Sequence, residues 1–369
     1  ATLMDTMGQV YTSLGLYGSA VPLARQALER RRALAGGEPS DDVALADSLD
    51  SLGEALTQVA EYEEAERHLR ESLEIRRRVL GAADPAVAHT LTLLADLLVF
   101  RGEFEAAQPV VEEALRIRRA AHDGPNAEVA ESIGDLGVIH GQRGDFGRAV
   151  EQLAEALAMQ RRLHGGPHPD LAEAINNLAW AYRGANDTAT AEPLYREALA
   201  MNRRLLGDAH PTLAAGLNNL GFVLEAQGEY PEAEAAYREA LAMNRKLLGD
   251  SHPMIAVNLS NLAFVLYAEG KRAEAIVQLR ESLAMNRREL GDGHPTVAGG
   301  AASLGYWLIL DGRLDEAGRL LDESLAIRRK AFGDGHVQVA RTQTLYANLL
   351  LARGDYAGAR DAAAAARTV

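Results

Sequence analysis

Between Leu171 and Pro253 the apolar positions form two pairs of stripes, and the second pair nearly copies the first. In the first pair Ile175, Leu178, Ala179 and Tyr182 recur at steps of three and four, one face of an amphipathic helix. The pattern breaks at Gly184-Ala185-Asn186-Asp187. A second stripe then runs through Ala191, Leu194, Tyr195, Ala198 and Leu199 to Leu206. Gly207 is placed to end that helix, because glycine readily takes the left-handed conformation of a C′ residue. His210 falls where the next N-cap is expected, with Pro211 at the first helical position, where a missing N–H does no harm. The corresponding upstream sites hold Asp84 and Asn126, both good N-caps. Each stretch of this kind predicts a helical hairpin.

The step between copies is 42 residues, and His168-Pro169, His210-Pro211, His252-Pro253 and His294-Pro295 all fall on it, with Asp84-Pro85 and His336 on the same grid. Self-similarity at such a period is the signature of a solenoid. Nine hairpins are predicted, with first helices starting near Ala1, Ala46, Ala88, Ala130, Ala172, Ala214, Ala256, Ala298 and Ala340. The first step alone is longer, through Gly36-Gly37-Glu38-Pro39-Ser40. A chain of 369 residues would ordinarily suggest two or three domains. Here a single array over 1–369 is expected, since each unit packs only on its neighbours. The expected units are 1–45, 46–87, 88–129, 130–171, 172–213, 214–255, 256–297, 298–339 and 340–369. Two columns of small residues run through them. Ala20, Ala65, Ala107, Ala149, Ala191, Ala233, Ala275, Ala317 and Ala359 share a site in the second helices. Glycine or alanine recurs in the first, as at Gly53, Gly137, Ala179, Gly221 and Gly305. Small facing residues let helix axes approach closely. Gly102, Gly144, Gly228, Gly270, Gly312 and Gly354, with Asn186 once, mark the turns.

The small–large pattern of Leu178, Ala179, Tyr182, Ala191, Tyr195 and Ala198 resembles the tetratricopeptide repeat. The 42-residue period, with LNNLA, EALAMNRRLLG and GDxHP, resembles its kinesin-light-chain subclass over essentially the whole chain. The resemblance implies an all-α, right-handed α-solenoid and a role in protein interaction. In that family asparagines of the first helix contact cargo peptide.

Composition narrows the partners. With 38 basic against 52 acidic side chains the net charge is −14, which disfavours nucleic acid and anionic membrane surfaces. The absence of cysteine excludes thiolate chemistry and fits a cytoplasmic setting. No apolar run is long enough to span a bilayer. The ends fall inside repeats, as expected of a piece of a longer protein.

In a curved array the first helices line the concave side. The stripe of Leu178 faces the core, which leaves positions such as 173, 176, 177, 180 and 183 toward a groove. Read across units, these sites give an aromatic column, Trp180, Phe222, Phe264 and Tyr306. They are either anchors for a partner or filler between neighbouring first helices. An amide row of Asn176, Asn177, Asn218, Asn219 and Asn261 has donors and acceptors for an extended peptide, or else holds the stack together. Arg183 and Tyr267 share this face. Earlier units carry acidic groove sites, Asp47, Asp50, Glu54, Asp96, Glu131 and Asp135, suited to a basic ligand or simply to solvation.

Other repeated residues have structural explanations. Arg77, Arg119, Arg203, Arg245, Arg287 and their equivalents lie in the last turns of second helices, where they complement the dipole and can pair with glutamates of adjacent units. The five gridded histidines stand on different units and cannot converge on one metal ion. No metal or cofactor is expected, and no catalytic motif has a supporting context. The sequence therefore points to a non-enzymatic scaffold binding an extended peptide or partner helix between about residues 173 and 310. A regulatory arm of a larger enzyme and self-association through terminal repeats are the competing readings.

Overall fold

The computed structural model describes residues 2–13, 16–34 and 43–367. Ala1 and the long linker Gly36–Ser40 lie outside the described residues. Among those described there are eighteen helices, paired in order as hairpins. The first four hairpins are α1 (Thr2–Ser13) with α2 (Tyr17–Leu34), α3 (Val43–Gln58) with α4 (Tyr62–Val79), α5 (Pro85–Phe100) with α6 (Phe104–Ala121), and α7 (Ala127–Gln142) with α8 (Phe146–Leu163). Next come α9 (Pro169–Gly184) with α10 (Thr188–Leu206), and α11 (Pro211–Gln227) with α12 (Tyr230–Leu248). The last three are α13 (Pro253–Ala268) with α14 (Arg272–Leu290), α15 (Pro295–Leu310) with α16 (Leu314–Phe332), and α17 (Val337–Ala352) with α18 (Tyr356–Arg367). The chain divides into two compact units, Ala1–Leu194 and Tyr195–Val369, so α10 carries the division. In each unit a helix packs chiefly on its hairpin partner and on the next hairpin. This is the α-solenoid arrangement the period predicts.

The helix ends follow the sequence signals. His168, His210, His252, His294 and His336 each accept, through Nδ1, the backbone N–H two residues on, at 3.1–3.3 Å. Asp84 and Asn126 do the same through carboxylate and amide oxygens at 2.8 Å. These contacts satisfy N–H groups that a helix cannot pair internally. The hairpin turns need one left-handed residue, supplied by glycine in most units, by Asn186 (φ 63°) in one and by Ala60 (φ 62°) in another. Ala60 is the exception with a cost, since a Cβ crowds the backbone there.

The small columns are explained by what lies against them. A Cβ added to Gly53 would come within 2.6 Å of the Leu69 side chain, and one added to Gly137 within 2.6 Å of Leu153. At Gly221 it would meet the Tyr237 ring at 2.7 Å. In each case the large residue lies sixteen positions on, in the partner helix, and fills the space the glycine leaves. The alanines of the second helices, Ala65, Ala149, Ala233 and Ala317 among them, are fully buried.

Neighbouring second helices are tied by arginine and glutamate 36 positions apart. Arg77 grips Glu113 through both carboxylate oxygens at 2.7 and 2.8 Å, and Arg287 grips Glu323 likewise at 2.7 and 2.9 Å. Arg119–Glu155, Arg196–Glu232 and Arg245–Glu281 follow the same rule. Arg32 reaches Glu71, 39 positions on, because the long first linker adds three residues. Most of these side chains are well hydrated, so each pair contributes about 0–1 kcal/mol.

Candidate functional site

The first helices carry the candidate positions, and each unit is described separately. In the second unit Phe222 on α11 and Phe264 on α13 occupy the same register one hairpin apart, 48% and 42% exposed. Tyr306 on α15, in the same column, is half-buried. Phe264 meets the buried ring of Trp307 edge-on at 5.1 Å, and Tyr267 stacks parallel on Trp307 at 4.6 Å. Arg272 lies over the Tyr267 ring at 5.7 Å. The aromatic side chains here form a supported surface, with Trp307 as its floor.

In the first unit Trp180 on α9 is placed differently. Its ring is half-buried and rests on Gly141 of α7, where an added Cβ would lie 2.4 Å from the ring. Phe146 of α8 meets it edge-on at 5.9 Å. Trp180 therefore packs against the preceding hairpin.

The amide row is partly engaged in the stack. The side-chain oxygen of Asn218 accepts from Asn261 at 2.9 Å and from the fully buried Asn258 at 3.1 Å. Asn258 accepts in turn from Asn244 of α12 at 2.6 Å. Asn176, Asn177 and Asn219 are half-buried, as is Arg183.

The acidic sites separate into two groups. Asp50 is 3% exposed and does not face a groove; Arg76 holds it at 2.8 Å, and Thr90 donates to it at 2.9 Å. Burial raises its carboxyl, opposed by Arg76. Its helical register resembles that of a groove site, but it pairs in the interior with Arg76 of α4, which is itself buried. Asp47, exposed, meets the same guanidinium nitrogen, Nη2, also at 2.8 Å. Glu54 is half-buried and raised by that burial.

Asp96, Glu131 and Asp135 belong to the second group and meet at a cavity of about 430 Å³, together with Glu128, Asp170 and Glu173. The opening exists because first-helix sites are small here. Gly134 stands in the column of Asn176 and Asn218, and a Cβ on it would meet only Ala156, at 3.9 Å. Burial and then Glu131 and Glu54 push Asp96 up to about 7, although its side chain still reaches water at the cavity mouth. Asp135 stands well above the carboxylate range, through burial first and then the charges of Asp96 and Glu131. Glu173 is raised for the same kind of reason. One cation opposes them: Arg118, 3% exposed, reaches Glu131 at 3.1 Å and donates to Ser132 at 2.7 Å. Six carboxylates around one opening favour a cationic group entering it. Glu128, Asp170 and Glu173 were not among the acidic residues read from the sequence, although position 173 was already in the groove register.

The capping histidines stay on separate hairpins, as their spacing requires. His164, off the 42-residue grid, does meet one of them: His164, His168 and Asp170 bring three donor atoms within 4.8 Å of one another. Among the described residues, no helix is long and apolar enough to cross a membrane.

Stacked hairpins closed by small columns and capped on a fixed period define a helical repeat protein. The tetratricopeptide repeat profile matches residues 42–120, 123–204, 212–288 and 296–369, and related profiles of the same repeat match 1–42 and 176–247. The chain belongs to the tetratricopeptide repeat family. Among solved structures, a Podosopora anserina protein described as a kinesin light chain with nearly identical TPR-like repeats is 26% identical over 57% of this chain and 99% of its own, with a TM-score of 0.51. BtubC (BKLC) from P. vanneervenii is 23% identical over 62% of this chain and 92% of its own, TM-score 0.55. The apo form of RapI matches 99% of this chain and 96% of its own at 14% identity, TM-score 0.67. The last two show likeness of fold. A comparison with curated proteins finds no match. As a repeat protein of this family the chain is a protein-interaction scaffold, on a fold that is in general non-catalytic.

Proposed function

We propose that the chain binds extended protein segments against its first helices, using a different chemistry in each unit. The observation that carries this reading is the pair Phe222 and Phe264, in one register and both open to solvent. Exposed rings offer a partner large apolar area at low entropic cost. Adjacent helix axes lie about 8–10 Å apart, and a peptide in the extended polyproline-II conformation advances about 3.1 Å per residue and returns to the same face every third residue. A ligand with apolar side chains at every third position would match the two rings, with Tyr306 next in line. In the first unit the acidic cavity suits a lysine or arginine side chain. Asn176 and Asn177, half-buried on α9, would meet a peptide backbone, whereas Asn218 and Asn261 are engaged with each other.

The test begins with peptides selected from a random display library on the wild-type chain. Their affinity is then measured by calorimetry for wild type and for Phe222→Ala/Phe264→Ala. Both rings lie at the surface, so the variant keeps its helicity. A loss of tenfold or more is expected, and an affinity unchanged by the double substitution would remove the aromatic site.

A further inference from the structure

The repeat provides an internal reference for each loop, and the loop between α8 and α9 departs from it. At the end of the second helix five other units place Leu80, Leu206, Leu248, Leu290 or Phe332, but here stands His164. The only other histidine in that column is His122, whose loop has Asn126 in place of a capping histidine. Two positions into the next helix, where the others have Ala86, Glu128, Thr212, Met254, Thr296 or Gln338, stands Asp170. The loop reads HGGPHPD and brings two imidazoles and a carboxylate to one point.

The rings of His164 and His168 stack at 3.6 Å, 9° from parallel. Stacking by itself is structural, since Phe332 stacks on His336 in the same way at 4.6 Å. The third group sets this loop apart. A carboxylate oxygen of Asp170 lies 3.9 Å from His164 Nε2, and the other lies 3.6 Å from His168 Nδ1. Ligands about 2.0–2.2 Å from a tetrahedral zinc ion are about 3.3–3.5 Å from one another. The observed spacings are within a small side-chain rotation of that geometry. Asp170 also borders the cavity lined by Asp96, Glu131, Asp135 and Glu173, a negative surface that concentrates cations.

We propose that His164, His168 and Asp170 bind a divalent transition-metal ion of the zinc type, with water completing the coordination. Imidazole and carboxylate donors suit Zn²⁺ and its neighbours better than Mg²⁺ or Ca²⁺. One competing contact sets the affinity. A neutral imidazole has a single unprotonated nitrogen, and His168 uses it to accept the N–H of Asp170 at 3.3 Å. The ion takes that lone pair, so binding loosens the N-cap of α9 and is weaker than at a dedicated structural zinc site. His164 has no capping role. Among the described residues its Nε2 meets the Gln160 side chain, at 3.1 Å, and the more distant carboxylate.

The experiment is a calorimetric titration of the metal-free chain with Zn²⁺, repeated with Co²⁺ to read the visible absorption of the bound ion. Wild type, His164→Ala and His252→Asn are compared; the last alters a capping histidine whose loop has Leu248 in place of His164. One ion per chain is expected in wild type and His252→Asn, with affinity at least tenfold weaker in His164→Ala. Circular dichroism confirms that each variant remains helical, and an Asp170→Asn chain provides a second way to weaken the site if His164→Ala is misfolded. Binding that survives both His164→Ala and Asp170→Asn, or no binding by the wild-type chain, would overturn the assignment.

Discussion

Asn218 and Asn261 lie 43 positions apart on the first helices of successive hairpins, and the amide of Asn261 donates to the side-chain oxygen of Asn218 at 2.9 Å. Asn258 donates to that same oxygen, and Asn244 donates to Asn258. Four asparagines on three helices thus form a continuous chain of side-chain hydrogen bonds. Asparagine is a mediocre helix former, and here its recurrence is compensated by holding one hairpin to the next.

Asn258 is the centre of that chain and fully buried. Replacing it with alanine leaves the Asn244 amide, itself 2% exposed, without its acceptor. An unsatisfied buried polar group costs about 1–3 kcal/mol. Asn258→Ala is therefore expected to lower stability by about 2 kcal/mol in urea denaturation. A variant as stable as wild type would show that the amide chain does not hold the stack.

Ala60 gives the opposite expectation. It takes the left-handed turn conformation that glycine supplies at Gly102, Gly144 and Gly228. The Cβ penalty there is about 1–2 kcal/mol, reduced in part by the greater chain entropy of glycine when unfolded. Ala60→Gly should raise stability by up to about 1 kcal/mol, and Gly144→Ala should lower it. Melting temperatures of the two variants check both signs; a lower melting point for Ala60→Gly would contradict the argument.

Much of the fold was legible because repetition turns one chain into its own comparison. Caps at His210 or Asp84, turn glycines, and the small columns each recur in register, and steric demand at such sites is local. The candidate site was less legible, because a register fixes which way a side chain leaves its helix but not what meets it. Trp180 and Phe222 share a column, yet the first is half-buried against Gly141 and Phe146 while the second is 48% exposed. Asp50 lay in a groove register, yet it pairs in the interior with Arg76. His164 could have been found as one of two histidines in a mostly leucine column, and as the one followed by both His168 and Asp170.

The seat of Trp180 can be tested directly. Alanine at Gly141 would put a methyl 2.4 Å from the indole ring, so the ring must leave its place against α7. Overpacking of this kind costs about 1–3 kcal/mol. In a Trp307→Phe background, where Trp180 is the only tryptophan, Gly141→Ala should shift the emission to the red and lower the denaturation midpoint. Emission unchanged in wavelength would mean that the ring does not depend on that contact.

The acidic cavity predicts a dependence on pH with a definite sign. Asp96 is pushed up to about 7, chiefly by burial and then by Glu131 and Glu54, and Asp135 stands well above the usual carboxylate range, chiefly by burial and then by the charges of Asp96 and Glu131. A raised pKa means that the folded chain holds the proton more tightly than the unfolded chain, whose aspartates titrate near 3.9. The associated stability is complete below about pH 4 and is lost as pH rises through about 7. Asp135→Asn keeps the shape of the side chain and removes its charge. Its melting temperature should exceed that of wild type at pH 8, and the difference should shrink toward pH 4. A difference that stays constant across this range would show that Asp135 is not held against its neighbours' charge. The same ionisation should strengthen capture of a lysine-bearing peptide between pH 5.5 and 8, and added salt should weaken it, because the attraction is between charges that ions screen.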